Sequence, residues 1–284
     1  MIGVYHSKDF DGFTSGFIIK MKYPNAKMIG YDYGEEFDIS CIDSPVIMAD
    51  VSLPMDTMKA ISDKCGGEFI WIDHHISAIK DYQSYSEKNG SFCEVVFDQS
   101  ISACEGTWKR LFPELRMPWA VKLLGEYDTW RHFGTGRWED EIAPFQLGLK
   151  ARCNKFEEYP EEIFANNELV LKIIEEGKVI RKFQKLENQK LCEKKSFEAT
   201  LKGKKALCLN SGNINSEAFK GVFDPLKHDL MLAFSFDGKK FDATLYTTRE
   251  DVDCSVIAKS LGGGGHRQAA GFEIKNIFEI LTLN

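Results

Sequence analysis

Glu68-Phe69-Ile70-Trp71-Ile72-Asp73-His74-His75 is an apolar run that stops in an acid and two imidazoles. Having no polar alternation, it reads as a strand buried on both faces, the kind that parallel sheets contain. Open parallel sheets bind ligands at the carboxyl ends of their strands, which is where Asp73, His74 and His75 fall. Taken alone, the triplet equally fits a capping Asp and two surface histidines, so its meaning depends on its flanks.

On the N-terminal side, 45–49 is a second buried strand, ending in Asp50, and 55–65 is a helix closed by Gly66-Gly67, residues that accept the left-handed backbone of a helix end. Before them come a strand over 2–5, a helix over 13–21 and a strand over 27–33. On the C-terminal side a polar loop leads to a strand over 92–97. Strand and helix alternate in the βαβ manner, which predicts a doubly wound parallel sheet.

Helices are predicted over 102–112 and 119–127, bounded by Pro113 and Pro118. From about 163 to 194, Val170, Ile173, Ile174, Ile180, Phe183 and Leu186 form an apolar stripe among Glu and Lys, the pattern of a long amphipathic helix. From Phe197 the pattern becomes strand-like, with Asp237-Gly238 a hairpin turn between 230–236 and 241–247. A short helix over 255–261 leads into Gly262-Gly263-Gly264-Gly265-His266-Arg267. The predicted fold is therefore α/β, with an N-terminal doubly wound parallel-sheet domain over 1–160, a linker helix over 161–196 and a smaller C-terminal α/β domain over 197–284.

Length agrees with two domains, since 284 residues exceed one comfortable core. No apolar run is long enough for a membrane span and the N-terminus has no basic leader, which gives the expectation of a cytoplasmic protein with no membrane partner. The 8 cysteines are scattered singly, so neither a thiolate zinc site nor a redox dithiol is signalled. A net charge of −7 speaks against coating long duplexes and leaves room for a short anionic substrate. From Thr200 onward 9 Lys and 2 Arg face 10 acids, a net of +1, so the part before it is the acidic one.

Acids recur where the predicted strands end. The first strand runs into His6-Ser7-Lys8-Asp9-Phe10-Asp11-Gly12, the strand over 45–49 into Asp50, the opening stretch into Asp73-His74-His75, and a later helix into Asp128. Each alone is an ordinary cap or loop residue. Together they offer carboxylate and imidazole without thiolate, a donor set for Mn²⁺ or Mg²⁺. Two such ions roughly 3.5–4 Å apart clamp phosphate oxygens and activate water.

In this order, His6…Asp9-x-Asp11-Gly12, Asp50, Asp73-His74-His75, Asp128 and Gly262-Gly263-Gly264-Gly265-His266 resemble the DHH phosphoesterases that carry a DHH-associated C-terminal domain. Tyr5-His6-Ser7 and Asp11-Gly12-Phe13 look most like the oligoribonuclease (nanoRNase) branch. The resemblance implies one ion on His6, Asp9 and Asp50 and a second on Asp11, Asp50, His74 and Asp128, with Asp50 bridging and Mn²⁺ preferred over Mg²⁺. It gives His75 a place beside the substrate phosphate and Asp73 the task of orienting an imidazole, while Gly262, Gly263, Gly264, Gly265, His266 and Arg267 bind substrate. The gap between His6 and Asp9 is shorter than in many members. The implied activity is hydrolysis of short single-stranded oligonucleotides. Cyclic or linear dinucleotides and 3′-phosphoadenosine 5′-phosphate are alternatives within the class, and a non-catalytic nucleic-acid-binding scaffold is the alternative outside it.

Overall fold

A computed structural model describes residues 1–212 and 214–283, and the chain divides into two compact units, Met1–Arg181 and Lys182–Asn284. The first unit holds β1 (Ile2–His6), α1 (Phe10–Lys22), β2 (Lys27–Tyr31), β3 (Val46–Ala49), α2 (Met55–Lys64), β4 (Phe69–Asp73), α3 (Ile76–Asn89), β5 (Glu94–Phe97), α4 (Ala103–Leu111), α5 (Trp119–Asp128) and α6 (Ala143–Arg152). Helix α7 (Asn167–Lys195) crosses the boundary between the units. The second unit continues with β6 (Phe197–Leu201), β7 (Lys204–Asn210), β8 (Leu230–Phe236), β9 (Phe241–Tyr246), α8 (Cys254–Ser260), β10 (Gly264–Gly265), β11 (Ala269–Ile274) and β12 (Leu281–Leu283).

In the first unit the five strands lie in the order β2-β1-β3-β4-β5, every neighbouring pair parallel. The period-two alternation of a strand splits each apolar run between two cores. Ile47, Ala49 and Ile72 pack with α1, α4 and α5, through Phe17, Trp108 and Leu124. Val46, Met48, Phe69 and Trp71 pack on the other face with Met58 of α2 and Ile79 and Tyr82 of α3. Covering both faces is why these strands carry no polar alternation, and the α/β, doubly wound fold class is what the structure has.

The stretch 76–89, expected to be part of a loop, is helix α3. Only Ala78, Ile79 and Tyr82 are buried, so its apolar face is too narrow to stand out among Lys, Ser, Gln and Glu. By contrast α2 ends where its glycines stand, with Gly66 and Gly67 at φ of +66° and +84°.

The second unit is a seven-stranded sheet ordered β10-β11-β9-β8-β7-β6-β12. Its pairings are antiparallel except β7 with β8. Ala199, Cys208, Leu232, Phe234, Leu245 and Phe272 form one core of this unit, with Cys254 and Ala258 of α8 packed into it. Among the described residues no helix is long and apolar enough to cross a membrane.

Candidate metal centre

The strand order fixes where a site falls. The chain leaves β1 toward β2 on one side and returns to β3 on the other, so the crevice between the carboxyl ends of β1 and β3 is the topological switch point at which open α/β sheets bind ligands. His6 ends β1 and Asp50 follows β3, which sets both at that crevice. Asp73 ends β4, the next strand along.

Local structure then aims each acid. Asp9 caps α1, its Oδ1 accepting from the Gly12 amide at 2.9 Å. A Cβ at Gly12 would come within 2.0 Å of the His6 carbonyl oxygen, so only glycine lets α1 start this close to β1. Asp11 is 3% exposed and its two oxygens accept from Ala103 N and Cys104 N at 2.9 and 2.8 Å, the amides that open α4. Asp50 lies in the left-handed region at φ +62°, an uncommon conformation for a residue with a side chain and one that concentrates at functional positions. Its amide donates to Ile72 O at 3.0 Å, and the buried Trp71 indole donates to Val51 O at 3.0 Å, which holds the chain where it leaves the acid.

These side chains meet in two groups that share Asp50. His6 Nδ1 is 2.7 Å from Asp9 Oδ2 and 3.6 Å from Asp50 Oδ2. His74 Nε2 is 3.5 Å from Asp50 Oδ1, 3.7 Å from Asp11 Oδ2 and 3.2 Å from Asp128 Oδ2. Asp50 thus turns one oxygen to each group. His6, Asp9 and Asp50 offer ligand atoms all within 4.8 Å of one another, as do Asp11, His74 and Asp128, and as do Asp50, His74 and His75. Asp73 accepts at one oxygen from His74 N, His75 N and His75 Nδ1, at 2.7, 3.0 and 2.7 Å, and so orients His75.

As it stands the cluster is short of positive charge. Asp50 Oδ2, His74 Nε2 and Asp128 Oδ2 are buried and make no hydrogen bond, although buried polar groups are nearly always satisfied. Burial, then repulsion from Asp11, Asp9 and Asp128, pushes the Asp50 carboxyl well above the ordinary carboxylate range. Burial, then Asp11 and Asp9, pushes Asp128 up to about 8. Burial lowers His74, which keeps its imidazole neutral as a metal ligand must be. At His75 the bond to Asp73 outweighs burial and raises the imidazole. Carboxylates that repel one another around a neutral, unpartnered imidazole are the donor set of a pair of hard divalent cations, and the residues present fit such a pair.

Asp32 falls inside the strand expected over 27–33 and so does not stand out in the sequence. The strand stops at Tyr31, and Asp32 Oδ1 lies 3.4 Å from His6 Nε2 while Lys8 Nζ is 3.6 Å from its other oxygen. Asp32 stands to the far nitrogen of His6 as second carboxylates stand to ligating histidines elsewhere. A second acid absent from the expected site is Glu105, which is 5% exposed, completes a capping box with Ser102 at the start of α4 and pairs with Arg131. The signal was there in Ser102-x-x-Glu105.

The C-terminal glycine segment lies in the second unit. The amides of Gly262, Gly263 and His266 donate to the carbonyls of Lys259, Ala258 and Ala269 at 3.1, 2.9 and 2.7 Å. They are taken up inside the fold, so the segment is not a run of consecutive free amides. Gly265, at φ +134°, and Gly263 pack tightly on β11, where a Cβ would collide with its backbone. At Gly264 a Cβ would meet nothing within 4 Å, and His266 and Arg267 are exposed.

No protein-family profile matches the chain. Among curated proteins it is 25% identical over 288 residues to uncharacterized protein R106 of Acanthamoeba polyphaga mimivirus, across 97% of this chain and 59% of that protein. The chain therefore spans only 59% of the length of the curated relative it matches. Among solved structures it is similar to the pGpG-specific phosphodiesterase PggH of Vibrio cholerae, with a TM-score of 0.50 and 11% identity over 96% of this chain and 93% of that one. An exopolyphosphatase-related protein of Bacteroides fragilis aligns with a TM-score of 0.45 and 14% identity, over 98% of this chain and 87% of that one. At 11% identity the likeness to PggH is one of fold.

Proposed function

We propose that this chain is a divalent-metal-dependent phosphoesterase of the DHH type, hydrolysing phosphodiester bonds in short single-stranded oligonucleotides. The observation that carries this reading is Asp50: a buried carboxylate in a strained backbone conformation, with Oδ2 toward His6 and Asp9 and Oδ1 toward His74. His6, Asp9 and Asp50 hold one ion and Asp11, Asp50, His74 and Asp128 the other, Mn²⁺ by preference. When bound, the ions neutralise the phosphate and activate water for attack on phosphorus. Asp32 and Asp73 keep imidazole rings in place, and His75, tied to Asp73, binds a phosphate oxygen as charge builds on it. In the second unit the exposed His266 and Arg267 offer donors suited to a phosphate. The structural neighbour named a pGpG-specific phosphodiesterase acts, by that name, on a dinucleotide, which falls within the proposed class.

The test is a titration of metal-stripped protein with Mn²⁺, followed by hydrolysis assays on a labelled dinucleotide, a short RNA and a short DNA. The expected result is binding of two ions and Mn²⁺-dependent release of mononucleotide. A stoichiometry of one ion, or no metal-dependent hydrolysis of any of the three, overturns the reading and favours a binding scaffold.

A further inference from the structure

We infer that Tyr33 and the groove beside it form a nucleobase subsite for the nucleotide whose phosphate sits at the metal centre, an assignment that rests on the phosphoesterase reading. Tyr33 stands at the join between the two. Its ring centroid is 5.6 Å from that of His6, and its hydroxyl accepts from the amide of Ser52, two residues beyond Asp50, at 3.3 Å. On its other side Tyr31 abuts it edge-on at 6.4 Å, held in turn by a bond from its own hydroxyl to Glu35 O at 3.2 Å.

Such bracing has a consequence for binding. Tyr33 is 50% exposed, which for a large aromatic side chain leaves much apolar area facing water, yet its position is fixed by neighbours on either side. A ring immobilised before a ligand arrives loses little freedom when a base stacks on it, so more of the stacking energy appears as affinity. Because the Tyr33 ring touches that of His6, a base stacked on Tyr33 lies beside the metal centre.

The groove that Tyr33 opens into has a volume of about 720 Å³, ample for a base, and lies wholly within the first unit. Glu35, Glu36 and Asp81 line it, with no Lys, Arg or His among its lining residues. An acidic groove repels phosphate and tolerates a neutral ring carrying amino groups. Between a cation-binding cluster and an acidic aromatic groove, a nucleotide is oriented one way, with phosphate at the metals and base against Tyr33. A substrate made only of phosphate gains nothing there.

The experiment compares adenosine 5′-monophosphate with ribose 5-phosphate, which carries a hydroxyl in place of the base, by calorimetric titration into the Mn²⁺-loaded protein. The parent protein binds the nucleotide more tightly by about 5- to 150-fold, the worth of one base–aromatic stack. Tyr33→Ala abolishes that preference and Tyr33→Phe, which keeps the ring face, retains most of it. Equal affinities in the parent, including no measurable binding of either ligand, overturn the subsite, as does a preference that survives in Tyr33→Ala. Nucleotide preference without hydrolysis of any dinucleotide instead leaves the subsite standing and removes the phosphoesterase reading.

Discussion

His74 and His228 are both imidazoles withdrawn from water, with side chains 14% and 6% exposed, and the structure treats them oppositely. In the second unit, His228 Nδ1 accepts from Asp224 N at 3.1 Å, and its Nε2 is 3.4 Å from a Glu198 oxygen. Every polar atom of that ring has a partner. In the first unit, His74 Nε2 faces Asp11, Asp50 and Asp128 and makes no hydrogen bond with any of them. A satisfied histidine pins a turn. An unsatisfied one, ringed by carboxylates that repel each other, is what the proposed metal centre asks of a ligand.

The largest effect is expected at Asp50. Asp50→Asn keeps shape and removes charge from both groups at once, so Mn²⁺-dependent hydrolysis should fall by more than about 100-fold, beyond the usual cost of losing an outer partner of a metal ligand. The metal-free variant should be at least as heat-stable as the parent, because a buried carboxylate crowded by other carboxylates has been neutralised. Measuring turnover and melting temperature together checks both halves. Near-normal turnover at saturating Mn²⁺ removes Asp50 from the bridging position, and a large drop in metal-free stability makes it a structural residue like His228.

The reverse experiment is His228→Ala. It strips a partner from the Asp224 amide and should destabilise the fold by about 1–3 kcal/mol, while Mn²⁺ affinity and stoichiometry stay those of the parent. Denaturant melts and metal titrations read the two. A loss of metal affinity would give His228 a part in metal binding and end its distinction from His74.

Much of this contrast is legible in the sequence, and the exceptions have physical causes. Strands β1, β3 and β4 announce themselves because burial on two faces demands unbroken apolar runs, and acids placed directly after such runs must lie at one sheet edge. His6, Asp9, Asp11, Asp50, Asp73, His74 and His75 could be picked out on that ground. Asp32 could not, since an acid between Tyr31 and Tyr33 reads as the polar side of an alternating strand until the strand is seen to end one residue earlier. Helix α3 was hidden by a narrow buried face. Nor does sequence reveal that the amides of Gly262, Gly263 and His266 are already engaged, because a glycine run states only that backbone freedom is available.

The smallest effect expected is a pH dependence, and it sharpens the reading of the cluster as a cation site. Asp128 titrates at about 8 in the metal-free fold against an ordinary value of 3.8, so between those values the native state holds a proton that the unfolded chain has released. Stability of the metal-free protein therefore falls as pH rises across that window. Metal binding at Asp128 would oppose this slope, because an ion needs the carboxylate ionised and would have to displace the proton at lower pH. The increase in melting temperature on adding Mn²⁺ should accordingly grow as pH rises toward about 8 and then level off. Asp128→Asn serves as the control, having nothing to titrate at that position, and its metal-free melting temperature should decline less over the same range. If parent and variant decline in parallel, the pH dependence belongs to the general acidic charge of the chain, and the crowding of carboxylates around His74 has no energetic weight.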